Sequence, residues 1–139
     1  MAYLINDFGV NMDYGYQKVV DLSYEKVNEK IRVSLMQEGF GIITEIDVKK
    51  TFKEKLNIDY DSFQILGACN PTLAKEALDL EREVAMFLPC NVIFWKNKDG
   101  SVTISAIDAV KQISLTDNKE LYKLGKKVNK SLINAIDSI

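Results

Sequence analysis

The stretch Leu88-Pro-Cys-Asn-Val-Ile-Phe-Trp-Lys-Asn-Lys-Asp-Gly-Ser-Val-Thr-Ile-Ser-Ala-Ile107 decides the fold. It holds two runs rich in β-branched and aromatic residues, 88–96 and 101–107, on either side of the polar segment 97–100. Asp-Gly between two such runs is a typical signal of a tight β-hairpin turn. The stretch therefore predicts two neighbouring antiparallel strands.

Three further strands are predicted upstream of this hairpin. They are rich in aromatic, β-branched or small apolar residues and cover residues 14–20, 40–46 and 63–69. Two short helices are predicted between strands, one capped by Asp47 and one capped by Asn70 with Pro71 in its first turn. These elements connect the hairpin to the amino-terminal half of the chain.

Two long helices complete the predicted elements. The first has Ser23 as its N-cap and Gly39 just beyond its end, with apolar residues at helical spacing between them. The second begins around Asp117, has Glu120 at capping-box spacing, and keeps an apolar stripe to Ile139. Both helices are expected to bury one face.

The order of the elements predicts an α+β fold written β-α-β(4)-α. The sheet is expected to be mostly antiparallel, with both long helices on one face and two short helices inserted between strands. A chain of 139 residues matches one ordinary domain. We assign that domain to residues 13–139 and treat residues 1–12 as an amino-terminal leader.

Charge and hydropathy exclude several classes of partner. The net charge of −2 argues against an electrostatic nucleic-acid binder, which needs clustered Lys and Arg. No apolar run approaches the roughly 18 residues that span a bilayer, and the amino terminus lacks the basic region of a signal peptide. We therefore expect a cytoplasmic protein with reduced cysteines that binds neither nucleic acid nor membrane.

The chain contains no histidine and only two cysteines. Histidine is the usual activator of serine and cysteine nucleophiles and the commonest metal ligand. Its absence excludes Ser-His-Asp and Cys-His catalysis within one chain, and a four-ligand Cys/His zinc site as well. The sequence accordingly predicts no metal and no cofactor, and leaves open whether the protein is an enzyme.

Two Cys-Asn dipeptides, Cys69-Asn70 and Cys90-Asn91, carry the most distinctive chemistry. Cys69 stands beside a helix start, where the helix dipole favours a thiolate, so it is the candidate nucleophile and Cys90 the candidate resolving thiol. The alternative is packing, because buried cysteine behaves as a small hydrophobe. For Cys69 this interpretation assumes that Phe63 and Ile65, which are in phase with it, face the core.

Glu45 is the candidate acid or base, since it lies late in an otherwise apolar strand. The alternative is a solvated carboxylate, or one paired with a lysine. Asn70 and Asn91 would suit a polar pocket. The predicted ligand-binding residues are therefore Glu45, Cys69, Asn70, Cys90 and Asn91.

Three blocks of sequence resemble the bacterial and archaeal domain-of-unknown-function family 302. They are Gly39-Phe-Gly-Ile-Ile-Thr-Glu-Ile-Asp-Val48, Ile65-Leu-Gly-Ala-Cys-Asn-Pro-Thr-Leu-Ala74 and Leu88-Pro-Cys-Asn-Val92, in that order. The resemblance implies a fold related to the TATA-binding-protein-like class and a homodimer. It implies no DNA binding, no biochemical role and no catalytic residues.

Three functions remain open at this point. The first is a homodimeric module that binds a small polar or anionic ligand near Asn70, Glu45 and Cys90. The second is a thiol-dependent sulfur carrier or redox protein that uses Cys69 and Cys90. The third is a non-catalytic interaction protein whose sheet serves as a subunit interface.

Overall fold

The computed structural model describes residues 8–139 and shows a six-stranded sheet with helices. The strands are β1 Val10–Asn11, β2 Gly15–Val20, β3 Gly41–Asp47, β4 Phe63–Cys69, β5 Cys90–Lys96 and β6 Val102–Ile107. The helices are α1 Tyr24–Gln37, α2 Val48–Leu56, α3 Pro71–Leu80, α4 Ala109–Ile113 and α5 Lys119–Asp137, with a 3-10 helix at Arg82–Phe87.

The strands are arranged in the order β1-β2-β6-β5-β4-β3, and each pairs antiparallel with its neighbours. The predicted hairpin is formed by β5 and β6, in which Val92 lies opposite Ala106 and Lys96 lies opposite Val102. Helix α1 carries the chain from β2 to the far edge of the sheet, where β3 begins. The chain then returns strand by strand through β4 and β5, so that β6 lies beside β2. The predicted α+β class with an antiparallel sheet is therefore confirmed.

One face of the sheet packs against α1 and α5 and forms the main core. Every second residue of the inner strands points to this face, as the pleat requires. The fully buried members of the core include Val27, Ile31, Leu35, Leu66, Val92, Phe94, Ile104 and Ile136. Both long helices lie on the same face, as the order of the elements predicted.

Local capping signals set the helix boundaries closely. The Ser23 hydroxyl accepts a hydrogen bond from the backbone N–H of Lys26, and Gly39 adopts a φ of 87° after the last turn of α1. The predicted capping box at Asp117 is wrong, because Asn118 is the N-cap of α5. Its side-chain oxygen accepts from the N–H groups of Glu120 and Leu121.

Three elements escaped the sequence patterns. Residues 10–11, which we assigned to the leader, form β1 and pair with β2, whereas residues 1–7 of that leader lie outside the described residues. The other two are α4 and the 3-10 helix, each at most six residues long. Within residues 8–139, no helix has the length and apolar character needed to cross a membrane.

Candidate functional site

A small cavity lies where the end of β4 meets the start of β5. The register of these strands places Ala68 opposite Cys90, so Cys69 and Cys90 belong to the same end of the sheet. The cavity has a volume of about 50 Å³, and its wall includes Cys69, Asn70 and Cys90. Three of the five predicted site residues therefore share one cavity.

The rest of the cavity wall is almost entirely apolar and comes from several helices. Helix α3 supplies Leu73, Ala74 and Ala77, the 3-10 helix supplies Val84 and Phe87, and α4 and α5 supply Ala109, Gln112, Ile113, Leu124, Gly125 and Val128. Gly125 allows α4 to approach α5, since a Cβ there would lie only 3.0 Å from Ile113 Cδ1. Among residues 8–139, no charged side chain lines this cavity.

Asn70 has the capping role that its position predicted. Its side-chain oxygen accepts a hydrogen bond from the N–H of Leu73 at 3.2 Å, and Pro71 occupies the first turn of α3. The cap satisfies one of the N–H groups that a helix start leaves without an intrahelical partner. Asn70 therefore fixes the direction in which α3 leaves β4, and so the position of the cavity wall formed by α3.

Both cysteines are free thiols, and they differ in burial. Cys90 is buried at 7% exposure, and it points to the core face in phase with Val92 and Phe94. Burial, with a smaller contribution from the nearby Cys69, raises the pKa of the Cys90 thiol to about 11. Cys90 is therefore protonated at neutral pH, while Cys69 is half-buried.

The assumption that Phe63 and Ile65 face the core with Cys69 is wrong. In β4 the residues turned to the core are Leu66 and Ala68, which are 0% and 1% exposed, while Phe63 and Ile65 are half-buried. Every residue from 63 to 69 is apolar or small except Gln64, so alternation could not reveal the phase. Cys69 lines the cavity at the last residue of the strand, where the chain turns into α3.

Glu45 lies apart from the cavity. It sits on the edge strand β3, and its Oε1 accepts a hydrogen bond from Arg32 Nη2 of α1 at 2.5 Å. This hydrogen bond is the main reason that the pKa of the Glu45 carboxyl is lowered; burial acts in the opposite direction, and the charge of Arg32 adds to the lowering. The carboxylate is thus exposed and ion-paired, as in the alternative interpretation from the sequence, but its partner is an arginine and not a lysine.

Asn91 belongs to a different part of the molecule from Cys90. Because successive residues of a strand point to opposite faces, β5 sends Cys90 to the core and Asn91 to the other face of the sheet. There Asn91 lines a groove of about 420 Å³. The groove is also lined by Met12, Asp13, Tyr14, Gly15, Gln17, Ile93, Trp95, Ser105, Ala106 and Ile107. We call it the sheet-face groove.

Fold and cavity together define an α+β protein with one helix-covered sheet face and two thiols at one sheet end. The profile of the family described as "Domain of unknown function DUF302" matches residues 16–139, and the chain belongs to this family. The chain is also similar to the protein in the "Crystal structure of uncharacterized conserved protein DUF302 from Bacillus stearothermophilus". The two share 25% sequence identity and a TM-score of 0.84, over 91% of this chain and 98% of that one. No curated protein matches the chain.

Proposed function

We propose that this protein is a homodimeric binding module whose small ligand occupies the cavity beside Cys69, Asn70 and Cys90. The observation that carries the proposal is the convergence of these three residues on one cavity. Helix starts, apolar walls and a few polar groups are typical of small-molecule sites. Glu45 and Asn91 take no part in this site.

The wall of the cavity revises the kind of ligand that we expect. An anion would lose its hydration without gaining a charged partner, because no Lys or Arg in the described part of the chain lines the cavity. The N–H of Leu73 at the start of α3 is already bonded to Asn70. The volume of about 50 Å³ is far below the roughly 300 Å³ of drug-sized sites. We therefore propose a small, uncharged ligand of a few heavy atoms.

Xenon is a suitable probe for this cavity, because it is small, apolar and known to enter dry cavities. We expect xenon pressure to shift the amide signals of Ala68, Leu73 and Ala77 saturably in ¹H–¹⁵N spectra. Ala77→Val adds two methyl groups at a buried wall position and should weaken xenon binding about fivefold or more.

The matched control is Ala85→Val, which makes the same change at an exposed position of the neighbouring 3-10 helix. It should leave xenon binding unchanged. The proposal fails if xenon produces no saturable shifts around the cavity, or if both variants bind xenon like the parent protein.

A second candidate function is sulfur transfer, and the placement of both cysteines on one cavity favours it. The Cys69 thiolate would attack the outer sulfur of a low-molecular-weight persulfide. A new S–S bond forms on Cys69, the donor S–S bond breaks, and the donor leaves as a thiolate, with no net oxidation. Apolar walls would then protect the bound sulfur from water. Because Cys90 is protonated at neutral pH, this candidate fits better than a rapid dithiol–disulfide cycle.

We propose the edge strand β3 as the contact in the homodimer. It is the outer strand of the sheet and carries two large exposed apolar side chains, Ile43 at 60% and Ile46 at 47% exposure. Exposed edge strands of this kind pair readily with another strand. A β3–β3 pairing would continue the sheet across two copies and leave the cavity accessible.

A further inference from the structure

We infer that the sheet-face groove is a second, separate binding site, for a planar aromatic molecule that is cationic or uncharged. The groove lies on the face of the sheet opposite the cavity lined by Cys69, Asn70 and Cys90, which we call the thiol cavity, and the two share no lining residue. Its volume of about 420 Å³ falls within the range of roughly 300–1,000 Å³ that small-molecule sites occupy.

Trp95 forms a rigid aromatic wall of the groove. Its ring stacks on Phe63, with centroids 5.4 Å apart and planes inclined by 19°. Its indole N–H donates to Asn97 Oδ1 at 2.9 Å, and Asn97 is itself buried and bonded to Thr103. These contacts hold the indole in one orientation before any ligand arrives, which lowers the entropic cost of stacking a flat ring on it.

Polar groups stand on the strands beside this wall. Gln17 Nε2 donates to Ser105 Oγ at 3.0 Å, which fixes the amide of Gln17 across β2 and β6. Asn91 brings a second amide to the groove from β5. Two amides and a hydroxyl can both donate and accept, so they suit the polar substituents of a heteroaromatic ring.

The rim of the groove is held in place although its side chains are exposed. The N–H of Met12 donates to the carbonyl of Gly15 at 2.6 Å, and the N–H of Asp108 donates to the carbonyl of Tyr14 at 2.9 Å. A Cβ at Gly15 would lie 2.7 Å from the Ala106 carbonyl oxygen, so the close approach requires glycine. Tyr14 is nevertheless 74% exposed, which leaves a large aromatic side chain available to close over a ligand.

The charge at the groove favours a cation or a neutral molecule over an anion. Asp13 is the one charged residue in the lining, and no Lys or Arg among residues 8–139 lines it. Lys111 is not part of the lining, and its amine donates to the backbone carbonyls of Met12 and Asp13. A cationic ring would gain from the Asp13 carboxylate and from the face of Trp95.

Three flat probes of nearly equal size separate the alternatives: 1-methylnicotinamide as the cation, nicotinamide as the neutral form and nicotinate as the anion. Trp95 is the only tryptophan, so the protein gives a single indole signal in ¹H–¹⁵N spectra. We expect saturable shifts of that signal and of the Gln17 and Asn91 side-chain amides. Affinity should be highest for the cation and lowest for the anion.

Asp13→Asn should weaken binding of 1-methylnicotinamide about threefold, the effect of losing one exposed charge pair, and leave nicotinamide binding unchanged. Asp117→Asn, at an exposed position before α5, is the matched control and should change neither. The inference is overturned if no probe gives saturable shifts, or if nicotinate binds as well as the cation. It is also overturned if these signals move on protein dilution alone, because the groove would then be the contact with a second copy of the chain.

The xenon experiment at the thiol cavity is followed through the signals of different residues, so the proposal for either site can fail without the other.

Discussion

At the scale of single residues, burial separates two cysteines that the sequence presents in the same way. Each is followed by asparagine and each lies at a strand end, yet Cys90 faces the core and Cys69 is half-buried. A pKa of about 11 leaves roughly one Cys90 in ten thousand as thiolate at pH 7. The reactive thiol of this protein is therefore expected to be Cys69.

We predict that iodoacetamide at pH 7 modifies the folded protein once, at Cys69. Cys90 should react only as the pH approaches about 11, with a rate that rises about tenfold per pH unit below that value, because the thiolate is the reacting form. Mass spectrometry of tryptic peptides locates the modification. A small-molecule persulfide added in place of iodoacetamide should add the mass of one sulfur atom to Cys69.

The two single serine variants serve as each other's control. Cys69→Ser should remove the reaction at pH 7, and Cys90→Ser should leave its rate nearly unchanged. Rapid modification of Cys90 in the folded protein at pH 7 would contradict the prediction. An unreactive Cys69 would end the sulfur-transfer candidate and leave ligand binding at the cavity untouched.

At the scale of elements, a buried lysine fastens the last helix to the sheet. Lys18 of β2 is 5% exposed, and its amine donates to the carbonyls of Ile139 at 2.9 Å and Asp137 at 3.4 Å. A cation is favourable there because the carbonyls at a helix end carry partial negative charge. Beside it, the Tyr16 hydroxyl donates to the Asp137 carboxylate at 2.8 Å, and burial together with Asp137 raises the pKa of Tyr16 to about 12.

We predict that Lys18→Met lowers the free energy of unfolding by about 1–2 kcal/mol, because the helix-end carbonyls lose their buried donor while the side-chain volume is kept. Urea unfolding measures this, and amide exchange should quicken mainly in the last turn of α5. Lys26→Met, at a side chain 54% exposed on α1, should change stability by less than about 0.5 kcal/mol. Equal stability of the two variants would show that Lys18 does not anchor the helix.

At the scale of the whole molecule, the two edge strands of the sheet differ. Strand β1 at one edge is only two residues long, whereas β3 at the other edge has seven residues. The ion pair between Arg32 and Glu45 connects β3 to α1, while the side chains of Ile43 and Ile46 on the same strand are exposed to solvent. Among residues 8–139, β3 is therefore the longer of the two edge strands, which is the reason for proposing it as the contact in the homodimer.

We predict a dimer in sedimentation equilibrium at micromolar concentration, and a monomer for Ile43→Lys, since a charge on an exposed edge strand opposes pairing. Leu115→Lys makes a similar change at a side chain 80% exposed in the turn before α5 and should remain dimeric. A parent protein that is monomeric at every concentration, or an Ile43→Lys variant that is still dimeric, would rule out the β3 contact.

Much of the fold is readable from the sequence, because short-range interactions specify it. The side-chain oxygens of Ser23, Asp47 and Asn70 cap their helices, each by accepting a hydrogen bond from the backbone N–H three residues later. The Asp-Gly turn joins β5 to β6, and Gly39 ends α1 in the left-handed region. Each of these signals acts within a few residues, so the order and class of the elements followed from the chain alone.

The candidate site was only partly readable, because its residues meet across long sequence distances. The sequence marked Cys69, Asn70 and Cys90, but nothing in it shows that the other walls of their cavity come from α3, α4 and α5. Glu45 was marked as well, yet its partner Arg32 lies on a helix thirteen residues earlier. The sheet-face groove was missed because its lining joins three strands and the loop before β2.

The sequence by itself thus determined the helix caps, the hairpin and the α+β order, since these depend on hydrogen bonds and steric limits among near neighbours. Tertiary structure alone decided which face each strand residue takes, and so which thiol is buried. In β4 the run Ile65-Leu-Gly-Ala-Cys69 has no polar alternation, and only packing against α1 and α5 selects Leu66 and Ala68 as the core face. That choice depends on burying the greatest apolar area, which is a property of the assembled layers.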